Sequence, residues 1–129
     1  MMERKIILPS GSYRPVSYYS HGIRVGSVLY SAGQTSRNKD GELVGLGSAA
    51  QQAKQAFHNL SLVLKDSGMD FKDVVRLNIF VRWRADIPDI LAVKDSIFGQ
   101  HSPALTLAVV NSLAFSEYLL EVEAIARID

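Results

Sequence analysis

Glu121 and Glu123 stand two residues apart in a stretch where Leu119, Glu121, Glu123, Ile125 and Arg127 alternate with Leu120, Val122, Ala124 and Ala126. In a strand that spacing puts both carboxylates on one face. A carboxylate on a central strand is costly when it is dry and unpaired. Either this face is solvated, or it lines a cleft where a carboxylate does general acid–base work. Spacing alone favours the solvated face.

The remaining chemistry-bearing groups are sparse. His21, His58 and His101 show no i, i+4 pairing, so no metal site is expected. His58 falls beside an apolar helical stripe and is expected to be partly exposed. His101 follows a helix, where it can complement the C-terminal dipole. His21, preceded by Tyr19 and Ser20, reads as a polar residue opening a strand. Cysteine is absent, which excludes disulfides, thiolate zinc sites and a cysteine nucleophile. Arg82-Trp83-Arg84 could stack a base or clasp a carboxylate, but such a turn is more often a solvated loop. Gly45, Gly47 and Ala50 fit G-x-G-x-x-A, with Asp66 about 20 residues on, as a dinucleotide site requires. The stretch before Gly45 is the polar loop Arg37–Glu42, however, and Asp66 ends a helix. A loop and helix cap fit better than a Rossmann turn.

These groups are carried by 129 residues, 47% hydrophobic and 21% charged. One domain spanning 1–129 is expected, large enough to fold without disulfides or metal. Fourteen basic against thirteen acidic residues give a net charge of +1, which makes nucleic acid an unlikely partner. No apolar run approaches the ~20 residues of a bilayer span. Ile6–Leu8 is too short for the roughly 7–15-residue core of a signal peptide. The expectation is a soluble cytoplasmic protein with no membrane partner.

Local patterning then assigns elements. Lys5–Leu8 reads as a strand, and Ser12–Ser20 as an extended loop. Ile23–Val25 and Val28–Ala32 form a hairpin across Gly26-Ser27, and Gly33 breaks the second strand. Ser48 and Gln51 make a capping box for a helix over Ser48–Ser67, with Gly68 as its C-terminal cap. Ala53, Ala56, Phe57, Leu60, Val63 and Leu64 form its apolar face. Val74–Val81 alternates, with Val75, Leu77, Ile79 and Val81 on one side. Asp86 is placed to cap a second helix, with Pro88 in its first turn and Ile87, Ile90, Leu91, Ile97 and Phe98 buried. Leu105–Val110 and Glu117–Arg127 close the chain. The order is β-β-β-α-β-α-β-β: a mixed sheet with two helices on one face. Its other face, apolar in several strands, is expected to be covered by self-association.

Several segments together resemble the Rid (reactive intermediate deaminase, YjgF/L-PSP) family over nearly the whole chain. They are Tyr19-Ser20, Leu29–Gln34, Gln52, Asn59-Leu60, Gly68, Asp73–Val75, Phe80-Val81, Ser102–Ala104 and Glu121–Ala126. The resemblance implies a chorismate-mutase-like α+β fold. It also implies a homotrimer with a barrel-like core, small-molecule sites between subunits, and no metal or organic cofactor. The family activity is hydrolysis of 2-imino or enamine acids to 2-oxo acids and ammonia. Carried over, Tyr19 and Glu123 are the catalytic residues, with Glu123 positioning or activating water. Gly33 contacts ligand through its backbone.

The chain also departs from the family pattern. The arginine that forks the substrate carboxylate is replaced by Leu105, which follows Pro103-Ala104. Ala32 replaces a serine, Leu91 a helix asparagine, and Leu107 a residue that is often cysteine. A leucine cannot pair with a carboxylate, and losing a buried charge partner costs about 3–5 kcal/mol. Ordinary 2-imino acid deamination is therefore not expected, unless a loop arginine (Arg14, Arg82 or Arg84) enters the cleft. The leading reading is a hydrolase or deaminase for a small imine, enamine or related amine. A non-catalytic metabolite-binding or regulatory trimer is the alternative, and an endoribonuclease comes third.

Overall fold

Alternation at the C-terminal end organises the sheet. In β6 (Leu120–Arg127), Leu120, Val122, Ala124 and Ala126 are buried while Glu121, Glu123 and Ile125 are only partly so. The computed structural model describes residues 3–129. It sets β6 at the middle of a six-stranded sheet with β1 (Arg4–Ile7), β2 (Gly22–Val25), β3 (Val28–Ser31), β4 (Val74–Val81) and β5 (Ala104–Val109). The order is β1-β2-β3-β6-β4-β5. Only β4 and β5 pair in parallel. They are joined through α2 (Ile87–Phe98), since parallel neighbours need a crossover. The mixed sheet and two helices agree with the α+β architecture expected from the sequence.

Helix α1 (Ala49–Asp66) buries the expected stripe and adds Gln52 and Asn59 to it. Its ends are defined by specific bonds. The Ser48 hydroxyl accepts from the Gln51 N–H at 3.3 Å, while the Ser48 N–H donates to Gly45 rather than to Gln51. At the other end, Gly68 (φ +75°) donates to Lys65 and Met69 to Leu64. Those are the two bonds of a Schellman motif. Helix α2 departs more from expectation. Asp86 makes no side-chain cap, because it sits in a 3₁₀ turn (Arg84–Asp86) that runs straight into the helix. Val93 is buried with Ile90 and Phe98, whereas Ile87, Leu91 and Ile97 are only half-buried.

A second difference lies in β4. A bulge between Val74 and Arg76 buries Val74 and exposes Val75 to 51%, reversing the expected sides of these two residues. From Leu77 onward the expected alternation holds. Leu77, Ile79 and Val81 face the helices, and Arg76, Asn78 and Phe80 face the uncovered side. β6 begins at Leu120, because Glu117 and Tyr118 belong to the preceding loop. No helix is long and apolar enough to cross a membrane among the described residues.

Candidate functional site

The site begins with a fault in the β3–β6 ladder. Tyr30 pairs with Ile125, and the chain rejoins β6 where Gln34 pairs with Val122. The β3 side thus spends one residue more than β6 over this stretch, which is a bulge. The Ser31 hydroxyl accepts from the Ala124 N–H at 2.9 Å within the interrupted ladder. Ala32 turns back, its N–H donating to His21. Gly33 is thereby set directly under Glu121. A Cβ at Gly33 would lie 2.6 Å from both Cδ and Oε2 of Glu121.

Three distant segments close around this point into a cleft of about 360 Å³. The loop before β2 contributes Tyr13, Arg14, Val16 and Tyr19. The segment after β3 contributes Gly33, Thr35, Arg37 and Gly41. The end of the chain contributes Ala114, Phe115, Tyr118 and Glu121. A pocket that mixes aromatic walls with a few charged groups is the usual form of a small-molecule site.

Buried polar side chains hold these segments. Asn59 on α1 donates to the carbonyls of Thr35 and Arg37 at 2.8 and 2.7 Å, and Gln55 donates to the Asn59 side-chain Oδ1. Two turns earlier, Gln52 donates to the carbonyls of Gly45 and Glu117 and accepts from the Leu119 N–H at 2.9 Å. One helix face therefore clamps both the segment after β3 and the loop before β6. Beneath the cleft, His21 is buried, and its Nε2–H donates to the Tyr13 carbonyl at 2.7 Å. That bond places a proton on Nε2, and Nδ1 lies 3.2 Å from the Gln34 amide nitrogen. His21 is thus a structural buried residue that fixes the Tyr13 backbone. His58 is exposed. His101 donates to the Val74 carbonyl and not to the end of α2.

Electrostatically the cleft holds two arginines and one carboxylate. Burial, and secondarily the charge of Glu123, push the Glu121 carboxyl above its ordinary range. Burial likewise holds the Tyr13 hydroxyl well above the usual tyrosine range, so it stays neutral. Arg37 donates through Nε to the Tyr118 hydroxyl at 2.8 Å and through Nη1 to the Gly41 carbonyl at 3.1 Å.

The structure brings some expected residues together and separates others. Tyr19, Gly33 and Arg14 line the cleft, and Ala32 adjoins it through Gly33. Glu123 does not line it. It accepts from Asn78 Nδ2 at 3.2 Å and borders a smaller cavity of about 190 Å³ with Tyr30 and Ser31. Leu105 and Leu107 pair in register with Leu77 and Ile79, on the helix side of the sheet. Glu121 and Glu123 stand opposite Phe80 and Asn78, on the uncovered side. Leu91 is half-buried on α2. Arg82 stacks on Trp83 at 3.7 Å, and neither it nor Arg84 lines the cleft. Sequence reasoning missed Arg37, Tyr118 and the cleft position of Glu121. The alternation of Glu121 with Glu123 signalled Glu121. Arg37 lay unmarked in a polar loop. No group of three or more His, Asp or Glu side chains among the described residues is arranged to hold a metal ion.

Comparison with known proteins agrees with this fold. The family model described as "Endoribonuclease L-PSP" matches residues 11–128. A 2-iminobutanoate/2-iminopropanoate deaminase of Dermatophagoides farinae is 33% identical, with all of both chains covered. The 3-aminoacrylate deaminase RutC of Acinetobacter baylyi is 28% identical over 98% of this chain and all of the relative. Among solved structures, the YjgF gene product of E. coli superposes with a TM-score of 0.89 at 26% identity, covering 97% of this chain and 99% of that one.

Proposed function

The chain belongs to the Rid (YjgF/L-PSP) family, and we propose that it hydrolyses a small imine or enamine to a carbonyl compound and ammonia in the cleft around Gly33. The observation that carries this reading is the Glu121 carboxyl, held across Gly33 in a cleft with Tyr19 and raised in proton affinity by burial. Such a group takes and returns a proton more readily than an ordinary exposed glutamate.

Water adds to the imine carbon, and its proton passes to the Glu121 carboxylate. That proton is returned to the nitrogen. The new hydroxyl then gives up its proton by the same route as the C–N bond breaks and the C=O bond forms. Ammonia leaves. The steps draw on side chains and water alone. Tyr19 orients the substrate, and the backbone at Gly33 lets the carboxylate come close. Glu123, the catalytic carboxylate that the family pattern implies, acts in this arrangement through its charge on Glu121.

The active form is a homotrimer. The uncovered sheet face carries Tyr30 at 50% exposure and Val75 at 51%, an apolar surface that favours association. The two halves of the expected site also lie on opposite sides of the sheet. Leu105, 39% exposed on the edge strand β5, is placed to wall the cleft of a neighbouring copy, while Leu107 packs against the core of its own chain.

The test is ammonia release from imines generated in situ by an amino acid oxidase, with aliphatic and aromatic members. Turnover that is lost in Glu121→Gln supports the reading. No turnover across the panel, together with ligand-induced thermal stabilisation, supports instead a non-catalytic binding trimer, which the leucine at position 105 favours. Cleavage of RNA would support the endoribonuclease reading, against which the near-balanced charge weighs.

A further inference from the structure

Arg37 is the group in the cleft that hydrolysis leaves unused, and its surroundings are unusually specific. Its Nε and Nη1 are tied to Tyr118 and Gly41. Its guanidinium carbon lies 5.1 Å from the Phe115 ring centre and 5.2 Å from that of Tyr118. The backbone beneath it is fixed by Asn59. Yet it has no carboxylate partner among the described residues, whose ion pairs are Lys72–Asp70 and Lys94–Asp95. Two of its five N–H donors carry the bonds named above, which leaves the rest of the planar fork for a ligand. A half-buried guanidinium without a counter-charge is stabilised by an incoming anion. Because its orientation is already set, little freedom is lost on binding.

We propose that Arg37 is the anion clamp of this chain, holding the carboxylate of a small acid whose apolar body lies against Phe115 and Val16. The inference rests on the cleft being the ligand site and deepens that reading by assigning the side chain that holds the ligand's charged end. Arg14 adds a second positive charge to the lining of the cleft. The volume, about 360 Å³, lies near the small end of ligand pockets. These features select a compact monocarboxylate with a planar or branched apolar body.

The probe is benzoate against its uncharged isostere benzamide, with 2-oxobutanoate as an aliphatic acid, measured by titration calorimetry on the whole protein. Benzoate and 2-oxobutanoate are expected to bind and benzamide to bind at least tenfold more weakly. Arg37→Met should weaken both acids at least tenfold and leave benzamide unchanged. Arg37→Lys, which keeps the charge and loses the fork, should fall between. Tyr118→Phe keeps the ring and removes the oxygen that holds Nε, so it should weaken benzoate several-fold even where Arg37→Met folds poorly. Equal affinity of wild-type protein for benzoate and benzamide, or unchanged benzoate affinity in the Arg37 and Tyr118 variants, overturns the proposal. Binding needs no turnover. Carboxylate binding by Arg37 without ammonia release therefore sinks only the hydrolytic reading, and imine turnover unaltered in Arg37→Met sinks only the clamp.

Discussion

The Glu121 carboxylate lies directly over the α-carbon of Gly33, so that a single methyl group at residue 33 would fall 2.6 Å from Oε2. The contact exists because the β3 bulge turns residue 33 toward β6 and because glycine leaves the space open. Gly33→Ala must displace the carboxylate. The side chain is flexible, so the fold should lose about 1 kcal/mol, the low end of overpacking costs. A misplacement of about 1 Å at a reacting group can cost about 100-fold in rate. Circular dichroism melting and ammonia release together should show a Tm lowered by only a few degrees with a large fall in kcat.

Glu121 and Glu123 share a strand face but differ in surroundings. Glu121→Gln should lower imine hydrolysis by about 10²–10⁴-fold, the usual contribution of a general acid–base group. Glu123→Gln should retain more activity. It should also move the acidic limb of the pH–rate profile downward, because it removes the charge that raises Glu121's proton affinity. A larger loss in Glu123→Gln than in Glu121→Gln would reverse the two roles.

The same shift has a consequence for stability. The folded state holds the Glu121 proton more tightly than the unfolded chain does. Its stabilising contribution is full below the ordinary glutamate range and is lost as pH rises through the raised native value. Glu121→Gln should therefore flatten the decline in Tm over that window. It should leave the protein more stable than wild type above it. Urea denaturation at several pH values measures this directly.

Asn59 links the core to the site, since its amide satisfies the carbonyls of Thr35 and Arg37. Asn59→Leu leaves both without that donor, at about 1–3 kcal/mol for each buried group. Denaturant unfolding should show this loss. Benzoate affinity should fall with it, because Arg37 loses its backbone anchor. Gln52→Leu, which frees three backbone groups at two loops, should be the more destabilising substitution.

Light scattering tests assembly. The particle mass should be three times the 14.2 kDa of one chain. Tyr30→Arg places a charge on the uncovered sheet face and should shift the population to monomer. A monomeric wild-type protein would remove the proposed contribution of Leu105 to the cleft.

Much of the fold was legible because periodicity is a local property. The α1 stripe, Gly68 and the alternation of β6 each follow from a few neighbouring residues. Reading failed where two elements meet. Val75 changed sides because β4 bulges against β6, which no count along β4 reveals. Asp86 looked like a cap because its sequence position suited one, but the preceding 3₁₀ turn had already set its backbone.

By itself, then, the sequence determined the element types, their order, the buried stripe of α1 and the shared face of Glu121 and Glu123. Only the tertiary structure decided which of those carboxylates meets Tyr19 and Gly33, and that Arg37 joins them. The cleft is assembled from residues 13–19, 33–41 and 114–121. Its composition depends on one extra residue in the β3–β6 ladder and on two buried amides of α1. Those long-range pairings leave no periodic trace in any one segment, because the hydrogen bonds that fix them run between parts of the chain far apart in sequence.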